Sequence, residues 1–173
     1  GIGVFTAEIQ FPPENDAYFG ETVLEWFTKG GFERLIVIDG VVSNDLGIKE
    51  DSDLWGVSST SSGRDGLSDA GVQQIQQGIV SGISGYLIAE GERRGLEVTA
   101  LLAECNPMYP DARAALMAID GLSEILDMEI PVQELLEDAR SIEERVREAF
   151  ERAQSTALPA PGPDDEDDVP MIL

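Results

Sequence analysis

The run FGETVLEWFTKGGFERLIVIDG, residues 19–40, decides the fold class. Phe19, Val23, Trp26 and Phe27 recur at helical spacing, and Gly30-Gly31 ends the helix because glycine accepts the backbone conformation a helix terminus needs. Leu35-Ile36-Val37-Ile38 follows as an unbroken apolar run closed by Asp39-Gly40, the pattern of a strand buried on both faces of a sheet. Upstream, Gly1-Ile2-Gly3-Val4-Phe5-Thr6-Ala7 also reads as a strand, broken by Pro12-Pro13. Glu14-Asn15-Asp16 then supplies capping groups and negative charge at the positive end of the helix. Strand, helix, strand at this spacing is a βαβ unit. The chain is therefore expected to be an α/β domain with a mostly parallel sheet flanked by helices. Its start in mid-strand, without Met, leads us to expect a fragment whose N-terminal part is missing.

Further along, the stretch from Ser43 to Asp69 is rich in Ser, Gly and Asp and reads as loop apart from one strand, Leu54-Trp55-Gly56-Val57-Ser58. Ile79-Val80 is expected as a short strand remnant inside the glycine-spaced segment Gly78 to Gly85. That segment opens a helix carrying Tyr86, Leu87, Ile88 and Ala89, which ends near Gly95. Val98 to Ala103 is the next buried strand, and Asp111 caps a helix through Leu126 whose inner side is expected to hold Ala115, Leu116, Ile119, Leu122 and Ile125. Pro131 begins a last, Glu- and Arg-rich helix with an apolar face of Val132, Leu135, Leu136, Ala139, Ile142 and Val146. From Ser155 the chain turns to Pro, Gly and acid, a composition that cannot build a core. The expected division is a domain over residues 1–154 and a disordered tail over 155–173.

Charge excludes several function classes. The chain has 34 acidic and 11 basic residues, a formal net charge of -23, which repels nucleic-acid phosphates. The acids run from Glu8 to Asp168, and the tail holds only five of them, so the charge covers the whole chain rather than one docking patch. Such a surface suits molar salt, where screening over about 3 Å removes the self-repulsion. No His is present, which excludes His-based acid–base chemistry and His-ligated zinc. The lone Cys105 cannot form an internal disulfide, so a reducing, cytoplasmic setting is expected. No apolar run approaches the roughly 20 residues a membrane-spanning helix needs, and we expect no cofactor.

Three places hold residues that chemistry could use. The helix start at Gly82 and Gly85 offers backbone N–H groups to an anion, but it lacks the Lys-Ser/Thr of a phosphate loop. Small residues that let the helix approach the sheet closely are the preferred explanation of this segment. The segment Glu104-Cys105-Asn106-Pro107-Met108-Tyr109-Pro110-Asp111 follows the C-terminal end of a strand, where open α/β sheets bind ligands. Cys105 has neither His nor Lys near it in sequence to generate a thiolate, so Met108 and Tyr109 are candidates for a protein contact instead. Asp39, Asp45 and Glu104 are candidate carboxylates, yet acids this abundant fall in such places by chance. The tail ends Met171-Ile172-Leu173, an apolar tip on an acidic, proline-rich tether, which reads either as incidental or as a peptide that docks into a partner's pocket.

The segment SGISGYLIAEGERRGLEV, residues 81–98, followed by Leu101-Leu102-Ala103-Glu104 and Tyr109-Pro110-Asp111-Ala112-Arg113-Ala114-Ala115, resembles the proteasome assembly chaperone 2 family. So does Leu126-Asp127-Met128-Glu129-Ile130 leading into an acidic helix. The resemblance spans roughly residues 1–150, and the acid content points to a haloarchaeal member. It implies a phosphorylase-like three-layer α/β fold, self-association, and a non-enzymatic role as a chaperone or partner of the proteasome core particle through its α subunits. Some members dock through a C-terminal hydrophobic–Tyr–any tripeptide. Met171 fits the first position, whereas Ile172 stands where the Tyr would be. The competing reading is a small-molecule-binding or nucleoside- or phosphate-processing α/β enzyme built on Gly82, Gly85 and the Glu104–Tyr109 loop.

Overall fold

The computed structural model describes residues 1–7, 12–42, 53–105 and 111–132, with single positions beyond them between 137 and 152. A 3-10 turn, Pro13–Asn15, leads into α1 (Asp16–Lys29). There follow β1 (Arg34–Val42), β2 (Leu54–Ser58), α2 (Ser61–Asp69), β3 (Gln73–Gln74), α3 (Gly82–Arg94), β4 (Glu97–Cys105) and α4 (Ala112–Leu126). The sheet order is β1-β4-β2-β3. β1 runs parallel to β4, with Arg34 opposite Glu97 and Val42 opposite Cys105. β2 runs parallel to β3 and antiparallel to β4. The expected α/β class, with a mostly parallel sheet between helices, is what the structure shows.

The alternation of β4 builds the two sides of the core. Val98 turns to one face, where it meets Val23 and Leu24 of α1 and Leu87 of α3. Leu101 and Ala103 turn to the other face, toward Leu67 of α2, Val72 and the helix α4. α4 rests on this face most closely through Ala114, Ala118 and Gly121, with Leu122 and Ile125 of the expected inner side packed against Leu67, Val72 and Leu101. Ala115 is exposed, and the helix is turned so that its smallest side chains meet Ala103 and Leu101, which brings the helix axis closer to the sheet.

Several expectations change. β1 does not stop at Asp39-Gly40 but continues to Val42, because the parallel ladder with β4 carries on to Cys105. Nor is it buried on both faces. Among the described residues it is the edge strand of the sheet, and Ile38 is 49% exposed. Gly1–Ala7 forms no strand, since it makes no ladder with β1 or any other described strand. Ile79-Val80 is not a strand either, and Ile79 is 96% exposed. The short strand lies earlier, at Gln73–Gln74. There Gly71, at φ +68, turns the chain so that Val72 enters the core and the next two residues pair with Trp55 and Gly56. The stretch read as loop contains α2. Its start is fixed by Thr60, whose hydroxyl accepts from the Gly63 amide at 3.1 Å, and its Leu67 is fully buried. The last helix and the tail, with the proposed boundary at 154/155, lie outside the described residues apart from those single positions.

Candidate functional site

The C-terminal ends of β1 and β4 meet the first turn of α3, the place where open α/β sheets hold ligands. Asp39 of β1 sits there. One carboxylate oxygen accepts from the Ser84 hydroxyl at 2.5 Å and the other from the Gly40 amide at 2.8 Å. Ser84 is buried and belongs to the first turn of α3, so the positive end of that helix already has a carboxylate from the protein against it. Gly85 is glycine for packing: a Cβ there would stand 2.1 Å from the Val80 carbonyl oxygen. Gly82 has φ +70, a conformation that other residues adopt at a cost.

Cys105 lies beside this cluster, and a Cβ on Gly40 would fall 2.7 Å from its sulfur. Burial pushes the thiol pKa up, and the negative charges of Asp111 and Asp39 push it the same way. The group stays a neutral thiol at physiological pH, the reverse of what a nucleophile requires. Glu104 lies next to Cys105 in β4, where its amide donates to the Asp53 carbonyl at 2.8 Å. Asp111 is spent on capping α4, accepting from the Arg113 and Ala114 amides at 3.2 Å each. Among the described residues no group of three or more acidic or Cys side chains could hold a metal ion. Asp45, Met108, Tyr109 and Met171-Ile172-Leu173 lie outside the described residues.

What the sequence reading missed is apolar and lies along the free edge of β1. A cleft of about 1520 Å³ runs between the aromatic side of α1 and the C-terminal end of α4, bordered by Leu35 to Asp39 and by Gly1 to Phe5. Trp26 and Phe32 pack at its rim as a tilted pair with ring centroids 4.8 Å apart, and the Phe5 ring lies 5.9 Å from that of Trp26. Ile38, Val41 and Val42 remain exposed beside it. The signal available in the sequence was the pair Val41-Val42 just after Asp39-Gly40, which an ending strand does not need.

A second polar cluster ties α1 to α3. Arg94 bridges Glu21 and Glu90 at 2.5 and 2.7 Å, and Arg93 holds Glu90 at 2.6 Å. The Arg93 hydrogen bonds, with those of Arg94, lower the Glu90 pKa to about 2, and Arg94 lowers that of Glu21. Both folded values lie below the unfolded ones. The stabilisation is therefore complete above about pH 4.5 and is lost as pH falls toward about 2. The double variant Arg93→Met/Arg94→Met is expected to unfold at lower urea than the parent at pH 6, with the gap closing by pH 2. A gap that stays constant across this range would show that the network does not contribute through its charges. The effect should also shrink in molar salt, since all four side chains keep some exposure to solvent.

With this geometry in place, known proteins can be compared. The model of the PAC2 family matches residues 4–149. The solved structure of Pyrococcus furiosus PbaA, an archaeal homolog of proteasome-assembly chaperone, superposes with a TM-score of 0.73 at 28% identity, covering 86% of this chain and 62% of that one. P. furiosus PbaB, an archaeal proteasome activator, has the same fold at a TM-score of 0.69 and 23% identity, covering 83% and 62%. An uncharacterised protein of Methanocaldococcus jannaschii is 27% identical over 81 residues, which are 47% of this chain and 34% of that protein. The chain thus spans about a third of the curated relative and about three-fifths of these solved relatives.

Proposed function

The chain belongs to the PAC2 family, and from that premise we propose that it acts as a non-enzymatic assembly chaperone or interaction partner of an archaeal proteasome, working as an oligomer through protein–protein contacts. The family match over residues 4–149, joined to the likeness to PbaA, carries this reading. The site geometry supports it from the other side. The helix start that a phosphate would use faces Asp39, the one thiol is held protonated, and the open surface is apolar. Among the described residues of this site no observation favours the enzyme reading. Charge adds a condition: at -23, self-association and contacts with another acidic surface need salt to screen the repulsion, which fits a salt-rich medium.

The test is capture on proteasome α subunits in molar KCl. The intact chain is expected to be retained, and removal of Asp164 to Leu173 to reduce the retained fraction several-fold, with light scattering reporting a species larger than a monomer. Failure of the intact chain to bind α subunits at any salt concentration would remove the reading. Equal binding with and without the last ten residues would remove only the role of the tail.

A further inference from the structure

α2 and β3 form one hydrogen-bonded piece. The Gln74 side-chain amide donates to the Arg64 carbonyl at 2.9 Å and to the Ser68 hydroxyl at 2.7 Å, which pins β3 to α2. The Val72 amide donates to the Leu67 carbonyl at 2.9 Å, so the turn at Gly71 closes on the helix itself. The hold on the rest of the domain is slighter. Leu67 and Val72 are the buried apolar side chains of the segment, and β3 pairs with β2 at Gln73 and Gln74 alone. Arg64 reaches the Ser58 carbonyl at 3.1 Å and Ser62 the Glu97 carboxylate at 2.5 Å, both from the solvent side. Beneath Gly63 the contact is polar, against Ser58 and Thr99. Those hydroxyls bond to each other and to the Val98 carbonyl, all within β2 and β4, so lifting α2 leaves no buried hydroxyl unpaired. Two apolar side chains thus offset the entropy of ordering the whole segment, whose two helical glycines add to that cost.

We infer that residues 60–75 are a flap that opens from the sheet as one unit while β1, β4, β2 and the other helices stay folded. Both of its ends suit a hinge. Ser59 clamps the end of β2 to β4: its amide donates to the Val98 carbonyl at 2.9 Å, its hydroxyl donates to the Leu96 carbonyl at 2.7 Å and accepts from the Val98 amide at 2.9 Å. Movement therefore begins at Thr60. At the other end residues 75–81 belong to neither helix nor strand, and Ile79 is fully in solvent. Gln74 is the pin that makes α2 and β3 move together. Opening uncovers the side of Leu101 that meets Leu67 and Val72 and frees the β2 groups that pair with β3. It makes this side of the sheet available to another chain.

Amide-resolved hydrogen exchange on the whole chain tests this, with Val23→Ala and Thr60→Ala as variants. The reporters are the Ala70 amide, bonded to the Gly66 carbonyl within α2, and the Ile75 amide, bonded to the Gly56 carbonyl of β2. Both are expected to be at least about tenfold less protected than the amides of β4. Val23 packs on the opposite face of the sheet, so its truncation weakens the whole domain without touching the flap. Val23→Ala should speed exchange in β4 about tenfold and leave Ala70 and Ile75 unchanged. Thr60→Ala removes the α2 cap, which exists only in the closed form, and should speed Ala70 and Ile75 by the same factor, about fivefold. Equal acceleration of β4, Ala70 and Ile75 by Val23→Ala would overturn the inference, because the segment would then open only with the whole domain. So would acceleration of Ala70 but not Ile75 by Thr60→Ala, which would separate α2 from β3.

Discussion

Gly85→Ala is expected to lower the stability of the domain by about 2 kcal/mol, a fall of roughly 4–8 °C in melting temperature for a chain of this size. The added methyl would lie 2.1 Å from the Val80 oxygen and 2.8 Å from the Val80 carbonyl carbon. Backbone atoms cannot escape by changing rotamer. The next peptide is tied to the same residue, since the Gly85 amide donates to the Ser81 carbonyl at 3.3 Å. Moving Val80 aside therefore disturbs the first hydrogen bond of α3. Alanine's better helix propensity returns up to about 1 kcal/mol, which leaves the net sign unchanged. The variant also separates packing from anion binding. If the helix start held an anion, the parent would be stabilised by added phosphate and the variant would lose that response. The packing reading expects no phosphate response in either protein and a lower urea midpoint in the variant. An unchanged midpoint would refute it.

The strongly patterned elements were legible in the sequence for a physical reason. α1, α3, β4 and α4 each carry a run long enough for its period to show, although the capping expected at Glu14-Asn15-Asp16 fails, since Asn15 makes no side-chain hydrogen bond to the start of α1. Asp111 and Gly95 act as read, one accepting two amides and the other ending α3 at φ +68. The errors fall where a residue's role depends on a distant neighbour. Leu35 to Ile38 are as apolar as a central strand, but burial depends on whether another strand lies alongside, and that is not local information. The site follows the same rule. Asp39 is one candidate among many acids, and only the fold brings Ser84, forty-five residues away, to its carboxylate. Family resemblance reached further than the residue-level reading. It connected the Gly-rich helix start to a partner class, which no single side chain in the described site encodes.

α2 shows most sharply how context sets the sign of an effect. Its sequence, SSGRDGLSD, has two glycines and no strong helix-former apart from Leu67 and Arg64, so propensity argues against a helix. The helix exists because it packs. Gly63 lies directly over the buried pair Ser58 and Thr99, whose hydroxyls are 2.8 Å apart, with Ser58 also within 3.2 Å of the Val98 carbonyl. A Cβ at position 63 would fall 2.0 Å from the Ser58 Oγ and 2.8 Å from the Thr99 Oγ1. Turning Ser58 away leaves buried hydroxyl groups unpaired at about 1–3 kcal/mol, and lifting α2 uncovers Leu67 instead. Gly63→Ala is therefore expected to cost about 2–4 kcal/mol even after the propensity gain. Three residues on, a Cβ at Gly66 would meet nothing within 4 Å, and the backbone there is ordinary helix. Gly66→Ala should stabilise the same helix by about 0.5–1 kcal/mol through propensity alone. The same substitution in one helix thus has opposite expected signs, read from urea midpoints of the two variants in parallel. If both stabilise, α2 is not packed against Ser58 and Thr99 as described. If both destabilise, Gly66 has a role that its open surroundings do not explain.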